Sequence, residues 1–352
     1  GAVKAAFGAA GWGNRPRIYT PAMIDYDFWV QDLAVARNDC VPRPDVFGDP
    51  CAAPATTPLV LQNNVWAKVA GTFAANARDP IVVHPMTTFD PLRYVYETHG
   101  RDFDRPPPGS ALDLVKRAIE TQGFVGVKVY PPMGFLPLKN IEVVDRLSEF
   151  DRELARPWGN RARDVFWAVG LRDKTDPNHE AEMQGAALDG ALRALYAYCA
   201  AKNVPIMAHT SRTQGTFYDN AAWKAADLSA DPLLWRDVLD VYPNLRLNLA
   251  HAGGPWCMGA LKRNDKDGFD KRETHLIDRC ELDQRASTLA TATLRSDRND
   301  LPPEFGYARW PVRALQLASV MKNGKPAYPN LYMDFGDWDQ LGERQDDGTL
   351  WR

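Results

Sequence analysis

The sequence is short of the features that mark several protein classes. Its 352 residues hold five cysteines, Cys40, Cys51, Cys199, Cys257 and Cys280, an odd number with no CxxC pair. A reduced, cytosol-like compartment is therefore the default, and cytoplasmic is the expected localisation. Cys40 and Cys51 bracket a Pro/Gly-rich loop and are the one pair placed for a disulfide. No apolar run approaches the roughly 20 residues that a membrane span needs. The first ten residues are too short and weakly apolar for a secretory signal. Lys and Arg number 42 against 45 Asp and Glu, for a net charge of -3, and they are scattered. No basic face for nucleic acid follows from that distribution. No GxGxxG opens a helix after a strand, so a dinucleotide site lacks its signature. Internal repeats, heptads and low-complexity tracts are absent too. The expected partner is a small-molecule substrate, with no nucleic acid and no membrane; a homo-oligomer is left open.

What is present is an ordinary globular composition, 45% hydrophobic and 25% charged, read as one domain over 1–352. The chain is organised around 204–254. Val204-Pro-Ile-Met-Ala-His-Thr210 and Leu245-Arg-Leu-Asn-Leu-Ala-His-Ala-Gly-Gly254 are each a short apolar run ending in a histidine. Such runs read as strands buried on both faces, and the carboxyl ends of such strands are where parallel α/β barrels keep their chemistry.

Further strands are expected at Ile18 to Asp25, weakened by Pro21, at Ile81 to Pro85 and on to an end near Thr88 to Pro91, at Gly123 to Tyr130 and at Asn330 to Phe335. Helices are expected from Thr57-Pro58 to about Ala77, with Val60, Val65, Val69 and Phe73 on one face, and after Ser110, with Leu112, Leu114, Val115 and Ile119 inward. Others are expected over Glu180 to Ala201, Pro232 to Val241 and Pro311 to Met321. Val165 to Val169 reads as a short strand or part of a lid, within a helical and loop insertion over about 131–178. A charged surface excursion is expected over about 262–304. About six parallel strands alternate with helices, a rhythm that fits a doubly wound sheet or a (β/α)8 barrel.

The segments Gly123-Phe-Val-Gly-Val-Lys-Val-Tyr-Pro-Pro132, Pro205-Ile-Met-Ala-His-Thr210 and Leu245 to Gly254 closely resemble those of the amidohydrolase superfamily. The nearest branch is the amidohydrolase-related group that includes aminocarboxymuconate semialdehyde decarboxylase. Phe89-Asp-Pro-Leu-Arg93 resembles that group's third strand and Tyr332-Met-Asp334 its seventh. The resemblance implies a (β/α)8 TIM-like barrel holding a divalent metal, most often zinc, with manganese or iron as variants. By motif match, His209 takes the fifth-strand metal position. His251 takes the sixth-strand catalytic position, orienting substrate and carrying protons. Lys128, on the fourth strand, and Arg212, just beyond His209, are the substrate-binding candidates; an arginine pairs well with a carboxylate. Zinc held by imidazole and carboxylate brings hydroxide within reach at neutral pH and polarises carbonyls, which suits hydrolysis and decarboxylation alike.

The sequence departs from the family pattern. It contains no HxH, and Gly336-Asp337-Trp338 follows the seventh strand too closely to be the eighth-strand aspartate motif. The chain thus reads as an incomplete barrel, its first and eighth strands missing, cut from a longer sequence. The expected function is a metal-dependent hydrolase acting on a small carboxylate- or amide-bearing molecule. The alternatives are a non-oxidative decarboxylase using the same site, or a metal-free barrel serving as a binding or scaffold protein. A plainer reading makes His209 and His251 core histidines at strand ends. His84 reads as a satisfied or pocket-wall histidine, Asp25 and Asp334 as acceptors beside the site or buried structural carboxylates, and His99, His179 and His275 as exposed.

Overall fold

The computed structural model describes residues 17–25, 27–30, 59–75, 81–142, 158, 160–211, 229–253 and 310–334. At its centre β3 (Met86–Thr88), β4 (Gly126–Val129), β5 (Ile206–His209), β6 (Leu247–Ala250) and β9 (Leu331–Met333) pair in that order, all parallel. β1 (Arg17–Tyr19) and β2 (Ile81–Val83) form a second parallel pair, and a parallel bridge from Ala22 to Met86 carries the pairing on to β3. The Met86 N–H donates to Pro21 O at 2.8 Å, so Pro21 interrupts the first strand without ending its alignment. Ile81 to Thr88 is accordingly two short strands rather than one. A doubly wound sheet reverses its strand order at a switch point. Here the order follows the sequence without reversal, the connectivity of a (β/α) barrel. Among the described residues the sheet does not close.

The register sorts the side chains by face. Thr87, Val127, Ile206, Leu247 and Leu331 form one row, and Val129, Ala208, Leu249 and Met333 another. Strand side chains alternate sides, so both rows share a face. That face packs on the helices: Val127, Val129, Ile206, Ala208, Leu247 and Leu249 are fully buried in one cluster with Leu112, Val115, Leu188, Leu192 and Leu195. The opposite face carries the polar groups, in a row of Thr88, Lys128, Met207, Asn248 and Tyr332. Two residues further on come Tyr130, His209, Ala250 and Asp334.

Eight α-helices lie among the described residues: α1 (Asp27–Val30), α2 (Leu59–Ala74), α3 (Pro91–Glu97), α4 (Ala111–Thr121), α5 (Asn160–Ala168), α6 (Pro177–Lys202), α7 (Trp235–Val241) and α8 (Trp310–Ala318). None is long and apolar enough to cross a membrane. α6 starts where the Asp176 carboxylate accepts the Asn178 and His179 N–H groups, leaving fewer orphan donors. It ends at Asn203, which is left-handed at φ 56°. Its inward Leu188, Leu192, Leu195 and Tyr196 are the face expected from the sequence. Ser110 stands at the N-cap of α4 in extended backbone, though its side chain makes no capping bond.

Three readings change. The inward face of α2 holds Leu59 and Asn63, while Val60 and Val65 are exposed. Asn63 is drawn in because it accepts from Thr87 Oγ1 at 2.9 Å on the helix face of the sheet. Val165 to Ala168 lies in α5, not a strand; Ala162, Val165 and Phe166 are buried at helical spacing. After α8, Met321–Lys322 and Lys325–Pro326 form an antiparallel hairpin, β7 and β8, turning at Asn323 and Gly324 with φ 54° and 73°. That is the Asn-Gly turn that right-twisted hairpins favour.

Two buried polar fastenings hold the periphery. Arg313 of α8 and Asp231, each 2% exposed at the side chain, form an ion pair. Asp189 of α6 accepts from the Asn140 N–H and Nδ2, both at 2.9 Å, and from the Ile141 N–H at 3.3 Å. Tyr196 adds a hydrogen bond to Pro137 O at 2.8 Å. The segment after β4 is thereby strapped to α6. The Cys40–Cys51 loop, residues 143–157 and 159 of the expected insertion, the 262–304 excursion, Arg212, His275 and Asp337 lie outside the described residues.

Candidate active site

The candidate residues stand at the carboxyl ends of consecutive strands. His209 closes β5, 8% exposed, with its ring centroid 4.3 Å from that of Tyr130 and 4.6 Å from that of His251. The two imidazoles meet edge to face at 65°. Burial holds the His209 pKa well below its usual range, the charges of Lys128 and His251 add to that, and a hydrogen bond with the Ser211 backbone opposes it. The ring is therefore neutral at pH 7. A backbone carbonyl favours the proton on the nitrogen facing it, so one ring nitrogen donates to Ser211. The other, Nε2, is buried and has no hydrogen-bond partner. A buried acceptor left unpaired is costly, about 1–3 kcal/mol, and such groups mark places where a ligand belongs.

His251 reaches this position by breaking the strand rule. Ala250 shares a face with His209, so alternation alone would turn His251 towards the helices. Instead His251 and Ala252 take left-handed backbone, with φ 67° and 43°, and the ring swings back against His209. Neither residue is a glycine, and left-handed backbone outside glycine carries strain of about 1–3 kcal/mol. The bend is held from the next strand. Asp334 Oδ1 accepts the His251 N–H at 2.9 Å, and Oδ2 accepts from Asn248 Nδ2 at 2.7 Å. Thr210 Oγ1 donates to Ala250 O at 2.6 Å and ties the two strand tips together.

Lys128 is buried at 5% exposure on the same face as His209, and its charge bears on the imidazole. The structure thus brings Lys128, His209 and His251 together; Arg212 lies outside the described residues. His84 stands apart, with Nδ1 3.4 Å from Gly123 O. His99 and His179 are exposed, the latter beside Asp173 at 2.9 Å. Asp25 is held by both arms of Arg93, at 2.6 and 3.0 Å. Sequence reasoning passed over Tyr130 and Asn248, although period-two spacing from Lys128 and to Ala250 places both on the polar face.

The donor set fits a metal in part. A buried imidazole offering Nε2, with its other nitrogen fixed by backbone, is the arrangement of a metal-ligating histidine. Yet among the described residues no three His, Cys, Asp or Glu side chains group closely enough to hold an ion, and catalytic zinc takes about three protein ligands. His209 could supply one donor of such a set, and the described residues do not supply the others.

Neither the curated proteins nor the solved structures gave a match to this chain. A family model described as Amidohydrolase does match, over residues 99–268, just under half of the chain and a span that contains Lys128, His209, Arg212 and His251. Together with a parallel sheet wound in one direction, that match supports placing the chain in the amidohydrolase superfamily.

Proposed function

We propose that this chain carries the catalytic face of a metal-dependent hydrolase, built as a (β/α) barrel and acting on a small carboxylate- or amide-bearing substrate. The carrying observation is the buried, unpartnered Nε2 of His209 against the ring of His251. A divalent cation such as zinc, held at that nitrogen, would supply Lewis acidity towards a substrate carbonyl. The other roles fall to the chain. The His209 N–H to Ser211 fixes the tautomer that leaves Nε2 free. His251, held by Asp334, faces the same point and is the group placed to move a proton to or from the reacting atoms. Lys128 gives this face positive charge, which favours a substrate carboxylate. Tyr130 walls the ring of His209 and limits water there.

The test is metal content and turnover on one preparation. After chelation and dialysis against zinc or manganese, the wild type is expected to retain close to one ion per chain and His209→Asn to retain none. With N-acyl amino acids as substrates, His251→Asn should lower kcat by about 10²–10⁴ while keeping the metal. Carbon dioxide release from aromatic acids, in place of amide cleavage, would move the reading to decarboxylation at the same site. A wild-type protein that retains no stoichiometric metal would end the proposal.

A further inference from the structure

We infer that a second site, for a small aromatic carboxylate, lies between α5 and the start of α6. A cavity of about 530 Å³ opens there, with Trp158, Arg163, Trp167, Arg172, Lys174 and Glu180 among its walls. None of the strand-tip residues lines it, and its volume is that of a small-molecule pocket.

The distribution of donors and acceptors defines what it selects. The Arg163 guanidinium carbon lies 4.6 Å from the centroid of the Trp167 ring and that of Arg172 lies 3.8 Å from it. Two like charges are thus gathered on one indole. Among the described residues neither arginine, nor Lys174, forms an ion pair. The nearby carboxylates are already engaged. Glu180 accepts from Trp167 Nε1 at 3.0 Å and from the Asp173 N–H at 2.8 Å. Asp173 accepts from the Thr175 N–H and Oγ1 at 2.8 and 2.7 Å, from the Asp176 N–H at 3.1 Å, and lies 2.9 Å from His179 Nδ1. The spare groups are all donors: Arg163 Nε, and Nε1 of Trp158, a residue 4% exposed, have no hydrogen-bond partner.

Unpaired cations beside satisfied carboxylates select an anion, and planar guanidinium groups match a carboxylate in two-pronged fashion. The indole walls favour a flat apolar body behind it. Pro177, the first residue of α6, also lines the cavity. α6 runs directly into β5, so in a β/α unit its start lies towards the carboxyl ends of the strands, the edge of the sheet that His209 closes. The assignment is independent of any metal at His209.

The probe is 4-fluorobenzoate, followed by fluorine NMR on the whole chain. Saturable binding is expected. The dissociation constant should rise about tenfold or more in Arg163→Gln, and also in Arg172→Gln, where the exposed position leaves the fold untouched. His209→Asn should leave the affinity as it is. The inference is overturned if affinity ignores both arginine variants, or if His209→Asn abolishes binding, which would put the probe at the strand tips. It is overturned equally if 4-fluorobenzylamine binds as tightly, or if inorganic phosphate displaces the probe as well as benzoate does.

Discussion

Exchanging Asn248 of β6 and Asp334, just beyond β9, would show whether Asp334 holds His251 in place. In Asp334→Asn one oxygen remains to accept the His251 N–H, at 2.9 Å in the parent. The other position becomes an amide NH₂ facing the amide NH₂ of Asn248, where the parent has a bond of 2.7 Å. One charge-assisted hydrogen bond is lost and two donors confront each other, a cost of about 1.5–3 kcal/mol. The single change Asn248→Asp sets two carboxylates in contact and should cost a similar amount. The double variant Asn248→Asp/Asp334→Asn reverses the polarity of the pair. The new amide at 334 donates to the new carboxylate at 248 and still accepts from His251. Urea unfolding of the four proteins gives the cycle directly. Recovery of about 1 kcal/mol or more relative to the sum of the single variants is expected. Strict additivity would refute the account, because the two side chains would then be acting separately. In the same series His251→Asn turnover effects should be mimicked, in part, by Asp334→Asn alone, since the bend that aims the imidazole is loosened while both histidines remain.

Three further outcomes follow from buried groups. Asp90 is pushed up to about 8, first by burial and then by the charge of Asp25. The native state keeps this proton while the unfolded chain releases it near the ordinary carboxylate value of 3.8. Stability should therefore fall as pH rises between those limits, by about 1.4 kcal/mol per pH unit for one proton. Asp90→Asn should flatten urea midpoints over that window without abolishing the slope, because Glu97, pushed up to about 7 by burial, acts with the same sign; an unchanged slope would contradict it. Gly185→Ala should destabilise by about 1–3 kcal/mol or more, because a Cβ there would stand 2.2 Å from the Asn140 carbonyl oxygen, a backbone atom; a neutral thermal midpoint would show that the strap yields. Cys199, fully buried with its thiol pushed up by burial, should resist thiol reagents until urea unfolds the chain.

The parallel rhythm was legible because buried strands such as Ile206 to His209 and Leu247 to Ala250 are apolar without interruption, and because Leu188, Leu192 and Leu195 repeat at helical spacing. The pairing of His209 with His251 was legible as two strand tips in succession. How His251 gets there was not: a left-handed histidine has no signature, and alternation argues for the wrong side. The outward valines of α2 misled because a polar residue, Asn63, took the inward place through one hydrogen bond to Thr87. The hairpin after α8 had an Asn-Gly signal that went unused because its strands are only two residues each. Tyr130 and Asn248 become visible once strand register is known, which a single sequence does not supply.

The strap between Asp189 and the turn at Asn140 has a consequence for how this protein can change. A connection whose carbonyls, amides and Cβ-free contact are all committed to one helix behaves as framework. Substitutions there will register as altered folding, not as altered selectivity. New substrate preferences would have to arise elsewhere around the mouth, from segments that owe less to α6.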